Sequence, residues 1–367
     1  MNSMNIKSVL KKLLDSFLLL QRINYWRIYH KFYVKQNPYF NLKPKLLNKN
    51  GVIYVLAPSY SNLGDVAIYV KSMDYIKNKL NLPLKSILYS RQCVNKKNLL
   101  GLSVSSDDIF VVQGGGNMGD LYANEELLRQ NIVKWFPQNK IISMSSSSCF
   151  RDKKKNYILE RAKKVYSQHK KLTLVARDIP TQNFCLANFN CNGLLCPDMV
   201  LSAIPARKIT YEKNKKVLLC LRKDMESKLK KDFVFAIETI LKDTGYFFEY
   251  WDTDDLSGKN IENKAEKIDE VLNYLNNFQF VITDRYHGTI LSYISKTPCI
   301  GLDNSYGKIK NGFIWFADCN YMFYAESINE IEKAIKQIEK LNVFNENENL
   351  QNAFKSLESK LVGEIYE

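Results

Sequence analysis

The sequence predicts an α/β fold in which two Rossmann-like domains face a cleft, preceded by an N-terminal amphipathic helical segment. Three observations predict it. The chain has 367 residues, more than the roughly 250–300 at which a single hydrophobic core stops growing. Short apolar runs alternate with stretches of helical periodicity, the pattern of βαβ units and parallel sheets. A polar, lysine-rich stretch at 208–216 divides those runs into two sets. Hydrophobic residues make up 46% of the chain and charged residues 25%, enough to fill two cores and too little charge for a disordered polymer.

Residues 1–50 read as the helical segment. Leu10, Leu13, Leu14, Phe17, Leu20 and Ile23 recur at helical spacing, with Trp26, Tyr29 and basic side chains between them. Ten Lys or Arg stand against the single acid Asp15, so this segment carries +9 of the chain's formal +15. The +6 left for the rest is too small for a basic stripe over the folded body, which argues against nucleic acid as a partner. A local anionic surface suits the charge better, and the segment either packs on the protein's own body or lies on a membrane face. No run reaches the roughly 20 apolar residues that cross a bilayer, and no small-residue cleavage site follows 17–20. The expectation is a cytoplasmic protein, peripheral on the inner face of the membrane through residues 1–45. Cysteines 93, 149, 185, 191, 196, 220, 299 and 319 show no CxxC and no metal-ligand spacing, so they read as reduced, mostly buried thiols, and no metal is expected.

The first Rossmann-like domain is expected over 51–207. A buried strand at 52–57 leads through a turn at 62–65 to a helix at 66–80; a strand at 109–113 leads through a tight turn at 114–116 to a helix at 125–135; further strands fall at 141–144 and 174–176. The second is expected over 208–345, with strands at 217–221, 247–251, 280–283 and 299–302 and helices at 233–241, 268–275 and 288–294. A C-terminal helix fills 346–367. Ligands of such sheets bind beyond the carboxyl ends of the strands, and the unusual residues of this chain cluster there.

Three segments place polar side chains directly after a strand: 62–65 (Asn62, Leu63, Gly64, Asp65), 114–120 (with Gly115, Gly116, Asn117 and Asp120) and 283–288 (with Asp284, Arg285 and His287). Glycine at a strand-to-helix turn lets the backbone approach a ligand and leaves N–H groups open at the helix start, although many such turns are purely steric. His287 stands apart because the chain has three histidines, and His30 and His169 lie in lysine-rich segments that read as exposed. A lone histidine is more often structural, but this one sits at a strand end, two residues from Arg285. Arg177, Arg222 and Lys308 also follow apolar runs. Each alone would be a solvated charge, yet with Arg285 they make a cage fit for a compact polyanion. Asp252, Asp254 and Asp255 read as a solvated turn.

From about Asn62 to Trp315 these motifs resemble the polysaccharide pyruvyl transferase family: 62–65, 114–122, 176–178, Pro197 with Asp198, 283–288 and 302–308. The resemblance implies a two-domain protein of the glycosyltransferase-B type that uses phosphoenolpyruvate as a substrate and needs no cofactor. It implies a donor site with Arg285, Lys308, Asn304 and either Arg177 or Arg222, and with His287 as acid/base. It implies an acceptor side with Asn62, Gly64, Gly115, Gly116, Asn117 and Asp120, and Asp65 orienting or deprotonating the acceptor hydroxyl. The expected reaction forms a pyruvate ketal on a sugar of a surface polysaccharide or lipid-linked precursor and releases phosphate; the alternative is a nucleotide-sugar glycosyltransferase of the same fold. One departure is the run Ser145–Cys149 where relatives carry a Pro-Gln pair, which bears on the loop before Phe150.

Overall fold

Backbone hydrogen bonding in the apolar runs produces two parallel sheets. The computed structural model of the chain describes residues 6–31, 50–59, 62–79, 82–94, 96, 104–151, 156–203, 214–222, 227–253, 264–345, 347 and 349–362. Its contacts fall into two units. Unit 1 holds Met1–Ser59, Ile76–Ala176 and Thr181–Leu194, and unit 2 holds Tyr60–Tyr75, Arg177–Pro180 and Leu195–Glu367. Of the lysine-rich break expected at 208–216, residues 208–213 lie outside the described residues.

The strands are β1 (Val52–Ala57), β2 (Leu84–Tyr89), β3 (Ile109–Val112), β4 (Gly115–Gly119), β5 (Lys140–Cys149), β6 (Leu172–Ala176), β7 (Asn192–Leu195), β8 (Lys216–Cys220), β9 (Phe247–Trp251), β10 (Phe280–Thr283), β11 (Cys299–Leu302) and β12 (Met322–Ala325). The α-helices are α1 (Ile6–Tyr29), α2 (Leu63–Asp74), α3 (Ala123–Trp135), α4 (Tyr157–Gln168), α5 (Ile179–Asn188), α6 (Lys231–Asp243), α7 (Lys264–Leu275), α8 (Tyr286–Ile294), α9 (Lys308–Gly312), α10 (Ile328–Glu339) and α11 (Asn349–Val362). Unit 1 carries the order β2-β1-β3-β5-β6-β7 with β4 paired to β5, and unit 2 carries β12-β11-β10-β8-β9. The central strands β1, β3, β10 and β11 are buried along their whole length, because helices flank a parallel sheet on both faces.

Two local expectations are corrected. The tight turn expected at 114–116 is the entry to β4, which pairs in parallel with Ser146, Ser148 and Cys149. Glycine makes this possible: Gly119 holds φ at +117°, and an added Cβ would stand 2.7 Å from the carbonyl carbon of Cys149. The serine run 145–148 therefore continues β5. His169, expected to be exposed, is 4% exposed; its Nε2 lies 3.0 Å from the carbonyl of Phe136. Burial lowers its pKa, against the opposing hydrogen bond to Phe136, and this core histidine closes α4 onto the end of α3.

A buried ion pair fastens unit 1. Glu126 and Arg129, both 0% exposed, meet at 2.5 Å within α3. Glu126 also accepts from Tyr166 Oη at 2.6 Å, from Gln130 at 2.8 Å and from the Gly119 N–H at 3.3 Å, while Arg129 donates to the Asn117 side chain. One carboxylate thus binds α3, α4 and β4 together. Replacing Arg129 by Met leaves Glu126 buried without its cation and should lower the unfolding free energy by about 3–5 kcal/mol. Calorimetry should show that loss partly recovered in the double variant Glu126→Gln/Arg129→Met; a single variant that melts like the parent would overturn the assignment.

Candidate active site

Three neighbouring strands of unit 2 deliver its polar residues to one end of the sheet. In the order β10-β8-β9, Asp284 and Arg285 follow β10, Arg222 follows β8, and Asp252 follows β9. Asp252 is the third correction. It is 3% exposed rather than a solvated turn, and its Oδ2 accepts from Arg285 Nη2 at 2.7 Å. The reason is topological, since only β8 separates the two strand ends in the sheet. Asp254 and Asp255 lie outside the described residues.

Thr283 and Asp284 shape this edge. Thr283 Oγ1 donates to the Cys220 carbonyl at 2.7 Å and accepts from the Arg285 N–H at 3.0 Å, and Asp284 Oδ1 accepts from the Arg222 N–H at 2.7 Å. Asp284 Oδ2 is buried and finds no hydrogen bond among the described residues. Burial pushes this carboxyl up to about 6, against the N–H of Arg222 and the charges of Arg222 and Arg285.

His287 stands in the first turn of α8, and two features position its ring. The backbone of Gly64, in the first turn of α2, lies against the imidazole so closely that an added Cβ would be 2.6 Å from its Cγ and 2.7 Å from its Cε1. On the far side, Nε2 is 3.7 Å from Asp198 Oδ2, too long for a hydrogen bond but close for a charge. Asp198 is 0% exposed. Its Oδ2 accepts from Arg177 Nη1 at 2.8 Å and its Oδ1 from the Val200 N–H at 3.1 Å. Burial alone would raise this carboxyl, but His287 and Arg177 outweigh it and hold Asp198 at about 2. The Arg177 guanidinium lies 4.5 Å from the centre of the Tyr286 ring, and its carbonyl accepts from Trp315 Nε1 at 2.7 Å.

The same geometry opens α2 toward the imidazole. Asn62 caps the helix, its Oδ1 accepting from the Asp65 N–H at 3.3 Å, so the positive end of the helix dipole and Gly64 face His287 together.

Unit 2 therefore contains nine of the residues singled out in the sequence: Asn62, Gly64, Asp65, Arg177, Arg222, Arg285, His287, Asn304 and Lys308. Asn304 is buried, and its Oδ1 accepts from the N–H groups of Tyr306 and Lys308 at 3.2 and 3.1 Å, which shapes the turn into α9. Gly115, Gly116, Asn117 and Asp120 stand in unit 1. There Asn117 holds Arg129, and Asp120 accepts from the Arg151 N–H at 2.9 Å. The residue that sequence reasoning left without a role is Asp198. Its only signal was its place after Pro197, because both of its charged partners are remote in sequence.

The family model for polysaccharide pyruvyl transferase matches residues 3–306. General stress protein 30 of Bacillus subtilis is 31% identical over 310 residues, which cover 82% of this chain and 88% of that protein. Pyruvyl transferase 1 of Schizosaccharomyces pombe is 28% identical over 310 residues, covering 76% of this chain and 73% of that protein. A solved structure of a protein of uncharacterised function from Klebsiella pneumoniae superposes with a TM-score of 0.50 at 19% identity, over 81% of this chain and 98% of that one, a likeness of fold.

Two outcomes follow from the geometry. Gly64→Ala should drive the imidazole away from Asp198 while the chain stays folded. The His287 ring-proton resonances, assigned by their loss in His287→Ala, should move; unmoved resonances would mean that the backbone of α2 yields instead. Asp284 is raised from the usual 3.9 or so of a free carboxyl to about 6. Its stabilising contribution is therefore full below about pH 4 and lost as pH rises through 6. Asp284→Asn should then stabilise the protein above pH 7 by up to about 3 kcal/mol, with the gain in melting temperature shrinking toward pH 4. A gain independent of pH would show that Asp284 ionises as a free carboxyl does.

Proposed function

The chain belongs to the polysaccharide pyruvyl transferase family, and from that premise we propose that it transfers the enolpyruvyl group of phosphoenolpyruvate to a sugar of a surface polysaccharide or of its lipid-linked precursor, forming a pyruvate ketal. The observation that carries this reading is His287, an imidazole with no hydrogen bond at Nε2 among the described residues, set between a helix N-terminus and a buried carboxylate. Such a group is placed to move a proton beside an anion.

In the proposed reaction a sugar hydroxyl attacks C2 of the donor while its methylene carbon takes up a proton. A second hydroxyl then displaces phosphate from C2 and closes the ketal, and the remaining proton leaves with phosphate. His287 supplies the proton to carbon, and Asp198, fixed by Arg177, orients the ring. The donor brings a carboxylate and a phosphate, so about three charges need compensation. Arg222, Arg285 and Lys308 provide cations for them, with Arg285 aimed by Asp252. Arg177 is committed to Asp198, so of the two arginines left open by the motifs, Arg222 is assigned to the donor. The N–H groups of the α2 start add a neutral anion seat, and Asp65 in the same turn orients the acceptor hydroxyl.

Incubation with phosphoenolpyruvate and a panel of synthetic or lipid-linked sugars, followed by mass spectrometry, should reveal the added pyruvate ketal; transfer of a hexose from a nucleotide sugar instead would overturn the reading. Given that activity, His287→Ala should lower turnover by roughly 10²–10⁴-fold with little change in donor binding. Arg285→Ala should raise the KM for phosphoenolpyruvate as well, with partial recovery in Arg285→Lys because lysine lacks the planar fork. A folded His287→Ala enzyme with normal turnover would remove His287 from the mechanism.

A further inference from the structure

Helix α1 is held to unit 1 along one side. The Tyr157 N–H donates to Gln21 Oε1 at 2.9 Å, and the rings of Tyr25 and Tyr157 stack with centroids 6.4 Å apart. Leu19, Ile23 and Trp26 follow at i, i+4 and i+7, so they share one helix face, and they are 53%, 42% and 63% exposed. Beside them, against α3 and α4, opens a groove of about 480 Å³ whose lining includes these three residues and the cations Arg22, Lys134 and Arg161.

The chemistry of this groove is one-sided. Among the described residues no carboxylate belongs to its lining. Arg161 is held in place by neutral amides, donating to Gln130 Oε1 at 2.7 Å and Asn131 Oδ1 at 2.6 Å. Those partners fix the guanidinium without cancelling its charge. An apolar helix face beside three lining cations, one of them held by neutral amides, matches a ligand that is apolar on one side and anionic on the other. A free phosphate would use only the cations. A second copy of this chain, docked through the same face, would set like charges against each other. Among the described residues no helix is long and apolar enough to cross a membrane, and a 24-residue helix with one open apolar face fits the plane of an interface.

We propose that the groove formed by α1, α3 and α4 is a seat for an anionic phospholipid surface. Arg22, Lys134 and Arg161 take the headgroup phosphate while Leu19, Ile23 and Trp26 enter the boundary of the acyl layer. This surface belongs to unit 1 and is independent of the activity assigned to unit 2.

The test is flotation of the full chain with vesicles of phosphatidylglycerol mixed with phosphatidylcholine, against phosphatidylcholine alone. Arg22, Lys134, Leu19 and Trp26 are exposed, so their variants should fold, which circular dichroism checks. The parent should float with the anionic vesicles in a salt-sensitive manner. Arg22→Glu/Lys134→Glu should bind at least about tenfold more weakly, since each basic residue near such a surface contributes about 1 kcal/mol. Leu19→Ser/Trp26→Ser should also bind more weakly, at every salt concentration. Equal flotation of parent and variants would overturn the proposal. So would binding confined to neutral vesicles, or a concentration-dependent dimer that the Leu19→Ser/Trp26→Ser variant abolishes.

Discussion

The carboxylate of Asp198 is sealed from water, and much of unit 2 is arranged around the need to compensate it. An ion of this size left alone in a protein interior carries a penalty of several kcal/mol. Arg177 meets it at 2.8 Å, but Arg177 is itself 2% exposed and has its own desolvation to offset. Burial would lower the guanidinium's pKa, and Asp198 more than reverses this. The Tyr286 ring covers the guanidinium, and Gly312 lies so close to that ring that an added Cβ would be 2.8 Å from the hydroxyl oxygen. The start of α8 and the end of α9 are thereby tied to the same pair. His287 takes its position from this arrangement, one residue beyond Tyr286, with Asp198 on one side and Gly64 on the other.

The two units each contain buried ionic groups, and their carboxylates differ in what is left over. In unit 1 both oxygens of Glu126 are occupied, one by Arg129 and the Gly119 N–H, the other by Tyr166 and Gln130. A carboxylate satisfied in this way rigidifies its surroundings and has no capacity for a ligand. In unit 2 the buried Asp284 Oδ2 and His287 Nε2 make no hydrogen bond among the described residues. Buried polar atoms are ordinarily paired. These two sit within one short segment, at the end of β10 and the start of α8, beside Arg222 and Arg285. Asp284 adds a thermodynamic mark, for a carboxyl raised to about 6 holds its charge at neutral pH only at the expense of stability. Departures of this kind from a fully satisfied interior are expected at functional sites.

The sequence disclosed the parts of this architecture that depend on local pattern. The runs at β1, β3, β8, β10 and β11 are apolar almost without interruption, as strands covered on both faces must be, and His287 was conspicuous by rarity and by its place at a strand end. What stayed hidden depends on partners remote in sequence. β2 alternates too weakly to stand out, and β4 is mostly glycine, a residue that ordinarily weakens a strand; it forms because β5 and the carboxylate of Glu126 hold it. His169 sits among lysines yet is buried, because the side chain turns toward Phe136 while its neighbours remain in water. Asp252 lies in an acidic run that looks solvated, and only the strand order brings it to Arg285. Asp198 was present in a motif without a function, since nothing local shows that Arg177 and His287 converge on it.

The N-terminal segment shows how two readings that exclude each other in a sequence become compatible in three dimensions. A basic helix with interleaved apolar residues either packs on its own protein or meets an outside surface, if the helix is treated as a single stripe. At 3.6 residues per turn, Leu19, Ile23 and Trp26 point roughly 140–200° around the axis from Gln21. Gln21 and Tyr25, about 40° apart, are enough to fasten α1 to α4, and the opposite arc remains open. The anchoring face is polar and aromatic, and among the described residues it includes the Gln21 hydrogen bond and the Tyr25–Tyr157 stack. The open face is aliphatic and indole, the composition that would have been buried had packing on unit 1 been the only demand on this helix. Arg22 sits between the two arcs, about 100° from Gln21, where it joins Lys134 of α3 and Arg161 of α4 in the lining of the groove. Among the described residues the side chains around the helix therefore separate attachment from exposure, with Arg22 at the border between them.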